Sequence, residues 1–119
     1  MKLHSKIYVA GSSGMVGSSI VRTLKKNKFT NILTTTRKEL NLLDSSAVLD
    51  FFKKNKPNFV FICAARVGGI KANMKYKYEF IYENIQIQNN IINSAFATNI
   101  KNLIFFGSSC IYPKMSKQP

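Results

Sequence analysis

The chain has 119 residues, of which 45% are hydrophobic, so it can form one small domain with a buried core, and disorder is not expected. Its net charge of +13 raises the question of nucleic acid, but the basic residues are scattered and match no nucleic-acid-binding motif, so we expect a solvated basic surface. One histidine and two distant cysteines predict neither a metal site nor a disulfide, and the absence of a bilayer-spanning apolar stretch or a signal-peptide pattern predicts a cytoplasmic protein without a membrane partner.

The first predicted elements are a strand, a glycine-rich turn and a helix. Residues 6–10 form a short apolar run that predicts a buried strand, and glycines at 11–14 predict a turn. Residues 15–27 are predicted to form a helix because apolar residues recur at every fourth position on one face. These residues are Val16, Ile20 and Leu24.

A second strand and a second helix follow. Residues 31–36 are rich in β-branched side chains and predict a strand. Asp44 and the two serines after it provide helix N-cap chemistry, so we expect a helix that continues to about residue 55. Lys56-Pro57 ends this helix, because proline cannot continue a helical hydrogen-bond pattern.

The last predicted elements complete an alternating pattern. Residues 58–63 form a nearly continuous apolar run, which is typical of a strand covered on both faces. A loop with glycines follows at 67–69, the longest helix is predicted near 75–98, and residues 103–106 predict a fourth strand. The order βαβαβαβ predicts an α/β fold of Rossmann type. We expect a doubly wound parallel sheet that is incomplete, with about four strands in the order 3-2-1-4.

The glycine-rich turn has the chemistry of a phosphate-binding site. It stands between the first strand and the first helix with the spacing G-x-x-G-x-x-G, which differs from the G-x-G-x-x-G fingerprint. The first glycine permits a tight turn, the second allows a pyrophosphate to approach the backbone, and the third allows close packing. The alternative is an ordinary glycine-rich turn. The predicted cofactor residues here are Gly11, Ser12, Ser13, Gly14, Met15, Val16 and Gly17.

The end of the second strand indicates which dinucleotide is preferred. NAD-binding proteins place an acid there to hold the ribose 2′-hydroxyl, whereas this chain has three threonines followed by Arg37 and Lys38. Arg37 has the geometry to hold a 2′-phosphate with paired hydrogen bonds, so NADP is favoured over NAD. The nearby Glu39 counts against this interpretation, and an Arg37 that is merely exposed is the alternative.

Several blocks of sequence together resemble the GDP-L-fucose synthase family, which belongs to the extended short-chain dehydrogenases/reductases. The resemblance covers essentially the whole chain. It rests on residues 9–18, 39–44, 64–70 and 80–84, and above all on 107–114, which are Gly-Ser-Ser-Cys-Ile-Tyr-Pro-Lys. Related sugar-nucleotide epimerases usually lack this last block in combination with the Val-Gly-Gly of residues 67–69.

The resemblance implies an NADP-dependent enzyme that epimerises C3 and C5 of GDP-4-keto-6-deoxy-D-mannose and reduces C4, giving GDP-L-fucose. Ser108 would hydrogen-bond the 4-keto oxygen, and Cys110 would be the acid/base of epimerisation, which is reasonable for a thiol of tuned pKa. Taken alone, a turn-capping hydroxyl and a small buried thiol are simpler interpretations. The position of both residues after a strand, at the carboxyl edge of the sheet, favours the functional interpretation. Cys63, inside an apolar strand, is predicted to be structural.

The resemblance also implies cofactor contacts outside the glycine turn. They are Asn41 and Leu42 beside the adenine, Ala64 and Ala65 along the cleft, and Gly107 and Ser108 after the fourth strand. One departure concerns Ser13, because the family often has an arginine there that helps to hold the 2′-phosphate. In this chain that role is left to Arg37.

Other parts of the family's machinery are missing from the sequence. None of the five tyrosines has a lysine four residues later, and His4 is the only histidine that could partner Cys110. We therefore expect residues 1–119 to be a partial N-terminal NAD(P)-binding domain without the C-terminal substrate domain, and to be inactive alone. The family's homodimer, formed partly by the long helix, or a separate C-terminal half would be its partner.

Two other functions remain open from the sequence. One is another sugar-nucleotide epimerase or dehydratase, against which Cys110 argues. The other is a non-enzymatic NAD(P)-binding module, which would bind the cofactor but no keto-sugar nucleotide.

Overall fold

The structure, a computed structural model, describes residues 1–108, 113 and 115–117. Within these residues, four strands and four helices are present, and the predicted alternation of strand and helix is confirmed. The elements are β1 (Ile7–Ala10), α1 (Met15–Lys26), β2 (Ile32–Thr34), α2 (Ser45–Asn55), β3 (Phe59–Ile62), α3 (Ile70–Lys75), α4 (Lys77–Ala97) and β4 (Asn102–Phe105).

The four strands are parallel, but their predicted order is wrong. The order is β2-β1-β3-β4 rather than 3-2-1-4, so β3 pairs with β1 and does not lie beyond β2. The physical reason is burial on two faces. Val60 and Ile62 of β3 are buried on one face while its phenylalanines pack on the other, which requires a central position. β2 has only three residues and ends in the exposed Thr34, so it stays at the edge.

The winding of the chain places a crevice above the carboxyl ends of β1 and β3. α1 leads from β1 to β2 and packs on one face of the sheet, whereas α2 returns past β1 to β3 and packs on the opposite face together with α4. The chain therefore changes direction between β1 and β3. This is the topological switch point at which open parallel sheets bind ligands.

The core consists of two unequal layers. Beneath α1, the buried apolar residues are only Ile7, Val9 and Leu24. The larger layer lies beneath α2 and α4, where the Phe52 ring packs edge-on against the Tyr8 ring at a centroid distance of 5.8 Å. The buried residues of this larger layer are Tyr8, Ala10, Leu40, Val48, Phe52, Val60, Ile62, Ile91 and Ala95.

Helix α2 begins and ends as the sequence predicts. The Asp44 carboxylate accepts a hydrogen bond of 3.0 Å from the backbone N–H of Ala47, which caps one of the free donors of the first turn. At the other end, Lys56 adopts a left-handed conformation with φ of 44°, and Pro57 follows. This sharp end directs the chain into β3.

The segment before α4 differs from the predicted loop. Residues 70–75 form the short helix α3, and Tyr76, with φ of −117° and ψ of 47°, separates it from α4. The Asn73 side-chain amide donates to the carbonyl oxygens of Gly68 at 2.8 Å and Gly69 at 3.2 Å, which holds the start of α3. A helix of six residues is too short to have a periodic apolar pattern, so the sequence does not predict it.

Helix α4 buries only part of its predicted wide apolar stripe. Phe80, Ile91 and Ala95 face the core, whereas the other side of the helix leaves large apolar side chains in solvent. The exposed side chains are Tyr78, Ile81, Tyr82, Ile85, Ile92 and Phe96. An exposed apolar face of this size is typical of a protein–protein contact.

Replacing Phe52 by alanine tests the larger core layer. Because Phe52 is fully buried, we expect Phe52→Ala to lower the free energy of unfolding by about 3–5 kcal/mol. The matched control is Phe96→Ala, since Phe96 is also helical but 85% exposed, and its loss should cost less than about 0.5 kcal/mol. Urea unfolding followed by circular dichroism measures both, and equal losses would contradict this arrangement of the core.

Candidate functional site

A cleft of about 380 Å³ lies at the switch point of the sheet. Its walls come from the turn after β1, the segments after β2 and β3, and the first half of α4. Most of the predicted cofactor residues are brought together here. The ones that line it are Gly11, Ser13, Gly14, Met15, Val16, Arg37, Asn41, Leu42, Ala64 and Ala65.

The remaining predicted residues lie elsewhere. Ser12 and Gly17 belong to the same turn but do not line the cleft, and Gly107 and Ser108 follow β4 outside its lining. Cys110 lies outside the described residues.

The glycine turn depends on the absence of side chains at two positions. Gly11 has a φ of 79°, and a Cβ atom there would lie 2.6 Å from the backbone nitrogen of Ala64 at the end of β3. A Cβ on Gly17 would overlap the Gly11 carbonyl oxygen, so this glycine lets α1 pack directly on the turn. The predicted conformational reasons for these two glycines therefore agree with the geometry.

The N-terminus of α1 opens into this cleft without a side-chain cap. Gly14 is the N-cap residue and offers no side-chain acceptor, and the first turn contains no acidic residue. The first turn of a helix has N–H groups without intrahelical acceptors and carries partial positive charge. An anion in the cleft could accept hydrogen bonds from these groups. Met15 and Val16, the first helical residues, are exposed beside it.

The segment after β2 contributes Arg37 but not its neighbouring acid. The Glu39 carboxylate accepts hydrogen bonds from the Thr36 backbone N–H at 2.7 Å and the Thr36 hydroxyl at 2.9 Å, and these bonds lower the pKa of Glu39. Glu39 does not line the cleft. Glu39, which counted against a 2′-phosphate in the sequence analysis, therefore hydrogen-bonds within its own turn and does not face the cleft.

Burial raises the pKa of two residues, Cys63 in the cleft lining and Tyr8 in the core beneath it. Burial raises the pKa of the Cys63 thiol, so this cysteine is a poor proton donor or nucleophile near neutral pH. Burial also raises the pKa of Tyr8, whose hydroxyl is 2.9 Å from the Thr35 hydroxyl oxygen. The Tyr8–Thr35 contact joins the central strand to the end of β2.

An ion-pair cluster at the mouth of the cleft was not predicted. The Glu83 carboxylate pairs with the Arg66 guanidinium, and its second oxygen lies 3.7 Å from the Arg37 guanidinium. Asn84, the next residue of α4, accepts from the Arg66 backbone N–H at 2.6 Å and donates to the Arg66 carbonyl oxygen at 3.0 Å. The two partners of each contact are separated by 17 positions or more in the sequence, so only the fold reveals the cluster.

Three further observations concern membrane insertion, metal binding and the basic residues. The described residues contain no helix long and apolar enough to cross a membrane. No group of three or more potential metal-ligating His, Cys, Asp or Glu side chains occurs in the part of the chain that the structure describes. Lysines occupy the last turns of α1 and α2, where positive charge complements the helix dipole.

Alanine at two glycines tests the geometry of the turn. We expect Gly17→Ala to lower the free energy of unfolding by about 1–3 kcal/mol, because overlap with the Gly11 carbonyl outweighs alanine's helix preference. Gly14→Ala is the control, since its Cβ would lie 3.4 Å from the same oxygen, and it should cost less than about 1 kcal/mol. Thermal unfolding compares the two, and a stabilised Gly17→Ala variant would contradict the close packing.

Comparison with known proteins agrees with these observations. Residues 7–119 match the NAD dependent epimerase/dehydratase family. GDP-L-fucose synthase 1 of Arabidopsis thaliana is 50% identical over 115 residues, which are 97% of this chain and 36% of that protein. GDP-L-fucose synthase of Escherichia coli (strain K12) is 49% identical over 114 residues, 96% of this chain and 36% of that protein.

A solved structure shares the same backbone arrangement. A GDP-mannoheptose C4 reductase from Campylobacter jejuni with NADP bound superposes with a TM-score of 0.93 at 45% identity, covering all of this chain and 38% of that one. The chain thus spans a little over a third of the length of the relatives it matches.

Proposed function

Because the chain belongs to the NAD dependent epimerase/dehydratase family, we propose that its switch-point cleft binds NADP. The pyrophosphate lies against the uncapped N-terminus of α1, and Arg37 holds the 2′-phosphate. Asn41 and Leu42 lie beside the adenine, and Ala64 and Ala65 line the path of the dinucleotide between β1 and β3. The single observation that carries this proposal is the close-packed glycine turn. It places the N-terminus of α1, whose first turn has no acidic residue, at the cleft.

The residues present fit this cofactor in charge as well as shape. Arg37 and Arg66 contribute two positive charges at the mouth of the cleft and Glu83 contributes one negative charge, so the cluster has an excess of one positive charge. Neighbouring GDP-sugar enzymes have been solved with NADP bound. The reduced cofactor, when bound, would supply a hydride. The residues of this chain would hold and orient the cofactor.

We propose that the chain is the cofactor-binding portion of an epimerase/reductase acting on a GDP-linked 4-keto sugar. The Arabidopsis and Escherichia coli relatives, at about 50% identity, favour GDP-4-keto-6-deoxy-D-mannose as substrate and GDP-L-fucose as product. In this reaction Ser108 donates a hydrogen bond to the 4-keto oxygen, and Cys110 moves the protons on the neighbouring carbons. A carbon acid next to a ketone ionises more readily when the oxygen is held by a donor.

We propose that the catalytic tyrosine and lysine of this activity are supplied by protein outside these 119 residues. The sequence has no Tyr-x-x-x-Lys pair to protonate the reduced oxygen, and the relatives are nearly three times as long. We propose a cytoplasmic protein that works as a homodimer or with a separate C-terminal portion. The exposed apolar side of α4 supports an association of this kind.

A second candidate is a GDP-sugar C4 reductase without epimerase activity. The heptose reductase from Campylobacter jejuni is 45% identical, close to the identity of the fucose synthases, so the fold does not separate the two reactions. The contribution of Cys110 separates them, because a reductase needs no acid/base on the carbons beside the ketone.

Cofactor titration tests the proposed site directly. We expect the 119-residue chain to bind NADPH more tightly than NADH, and Arg37→Met to weaken NADPH binding about tenfold with little effect on NADH. Arg22→Met is the matched control, since Arg22 lies on the outer surface of α1 and hydrogen-bonds Ser18. Cofactor fluorescence gives the dissociation constants. A folded chain that binds neither dinucleotide would contradict the proposal.

Turnover with a keto-sugar nucleotide tests whether the chain binds the cofactor but needs further residues for catalysis. The chain alone should not oxidise NADPH in the presence of GDP-4-keto-6-deoxy-D-mannose, because it lacks the tyrosine–lysine pair. A chimera with the remaining residues of the Escherichia coli relative should restore turnover. Cys110→Ser in that chimera should abolish epimerisation, measured as proton exchange at C3 and C5. Exchange that is unaffected by this change would favour the C4 reductase.

A further inference from the structure

Glu83 pairs with two arginines that differ in how firmly they are held. Arg66 is fixed from several sides, because Asn84 holds its backbone, Glu83 pairs with its guanidinium, and the Phe80 ring lies 5.2 Å from it. Arg37 has none of these supports among the interactions of the described residues. Its side chain is 79% exposed and meets Glu83 at 3.7 Å. Arg66 is therefore a fixed partner of Glu83, and Arg37 is a releasable one.

The position of this contact matters because it crosses the mouth of the cleft. Arg37 follows β2, whereas Glu83 belongs to α4, and both side chains line the same cleft. The Glu83 side chain is only 16% exposed, so its carboxylate is enclosed near the ligand space. A phosphate that approached Arg37 would have to compete with this carboxylate for the guanidinium.

We propose that Glu83 is a specificity-determining residue that competes with the 2′-phosphate of NADP for Arg37 and so moderates the preference for NADP over NAD. This inference rests on the proposed cofactor site. In the empty chain Glu83 holds Arg37 across the cleft, and when NADP binds, Arg37 leaves Glu83 for the 2′-phosphate while Arg66 stays paired with Glu83. NAD has no 2′-phosphate and leaves the Arg37–Glu83 contact in place.

The proposal predicts a different effect of Glu83 on the binding of NADP and of NAD. A 2′-phosphate carries between one and two negative charges at neutral pH, so removing the Glu83 charge favours NADP and has little effect on NAD. Because the Arg37 side chain is 79% exposed, solvent screens its pairing with Glu83, and pairs of this kind change a dissociation constant by up to about fivefold.

Titration of Glu83→Gln with NADPH and NADH at low ionic strength tests the proposal. We expect the dissociation constant for NADPH to fall about threefold and that for NADH to change less than about 1.5-fold. The gain should shrink at high salt because salt screens the charge of the exposed Arg37 side chain. Glu79→Gln, one turn earlier on α4 and outside the cleft lining, is the matched control and should change neither constant.

The same substitution in an Arg37→Met background separates competition from a structural effect. If Glu83 acts through Arg37, Glu83→Gln should leave NADPH binding unchanged there within about 1.5-fold. An equal effect in both backgrounds, or equal shifts for both cofactors, would overturn the inference and leave the proposed cofactor site intact. A folded wild-type chain that binds neither cofactor would contradict the site and the inference together.

Discussion

The close approach of three backbone segments at the switch point is the constraint on which the rest of the structure depends. Gly11 lies against Ala64 at the end of β3, and Gly17 lies against the Gly11 carbonyl at the start of α1. Neither position has space for a Cβ atom. The contact therefore fixes β1, β3 and α1 relative to one another, and it brings the helix N-terminus to the cleft instead of leaving it above a neighbouring strand.

Helix α4 forms the opposite wall of the cleft and holds the segment after β3 through polar contacts. The Asn84 side chain forms two hydrogen bonds with the backbone of Arg66, beyond the last strand pairing of β3. It bonds both the N–H and the carbonyl oxygen, as the backbone of a neighbouring strand would. Asn90 similarly donates to the Leu42 carbonyl oxygen at 2.8 Å, so α4 also holds the segment after β2. Satisfied polar groups of this kind specify one arrangement of loops that apolar packing alone would leave variable.

Sequence patterns predicted the four strands, the three longer helices and the glycine turn because local chemistry determines them. The Asp44 cap, the left-handed Lys56 and the positive φ of Gly11 depend on residues close in sequence. The order of the strands was not predicted correctly, because an apolar strand such as β3 can pair with β1 or with β2, and only the tertiary fold shows that it pairs with β1. The cluster around Glu83 was missed for the same reason: it joins residues that only the tertiary fold brings together. The role of Cys110 stays a prediction, since it lies outside the described residues.

Two outer surfaces of the molecule leave apolar side chains in solvent. The radius of gyration is 15.3 Å, whereas a compact domain of this length has about 13.5 Å, and the extents of 41 × 36 × 23 Å describe a flattened body. Within the described residues β4 pairs on one side only, and Ile104 and Phe105 at this edge are about half exposed. An apolar open edge and the bare side of α4 both favour association. The cleft is bounded by elements that already hold one another, whereas these outer surfaces are not covered. The proposed cofactor site therefore lies among elements that contact one another, apart from these uncovered surfaces.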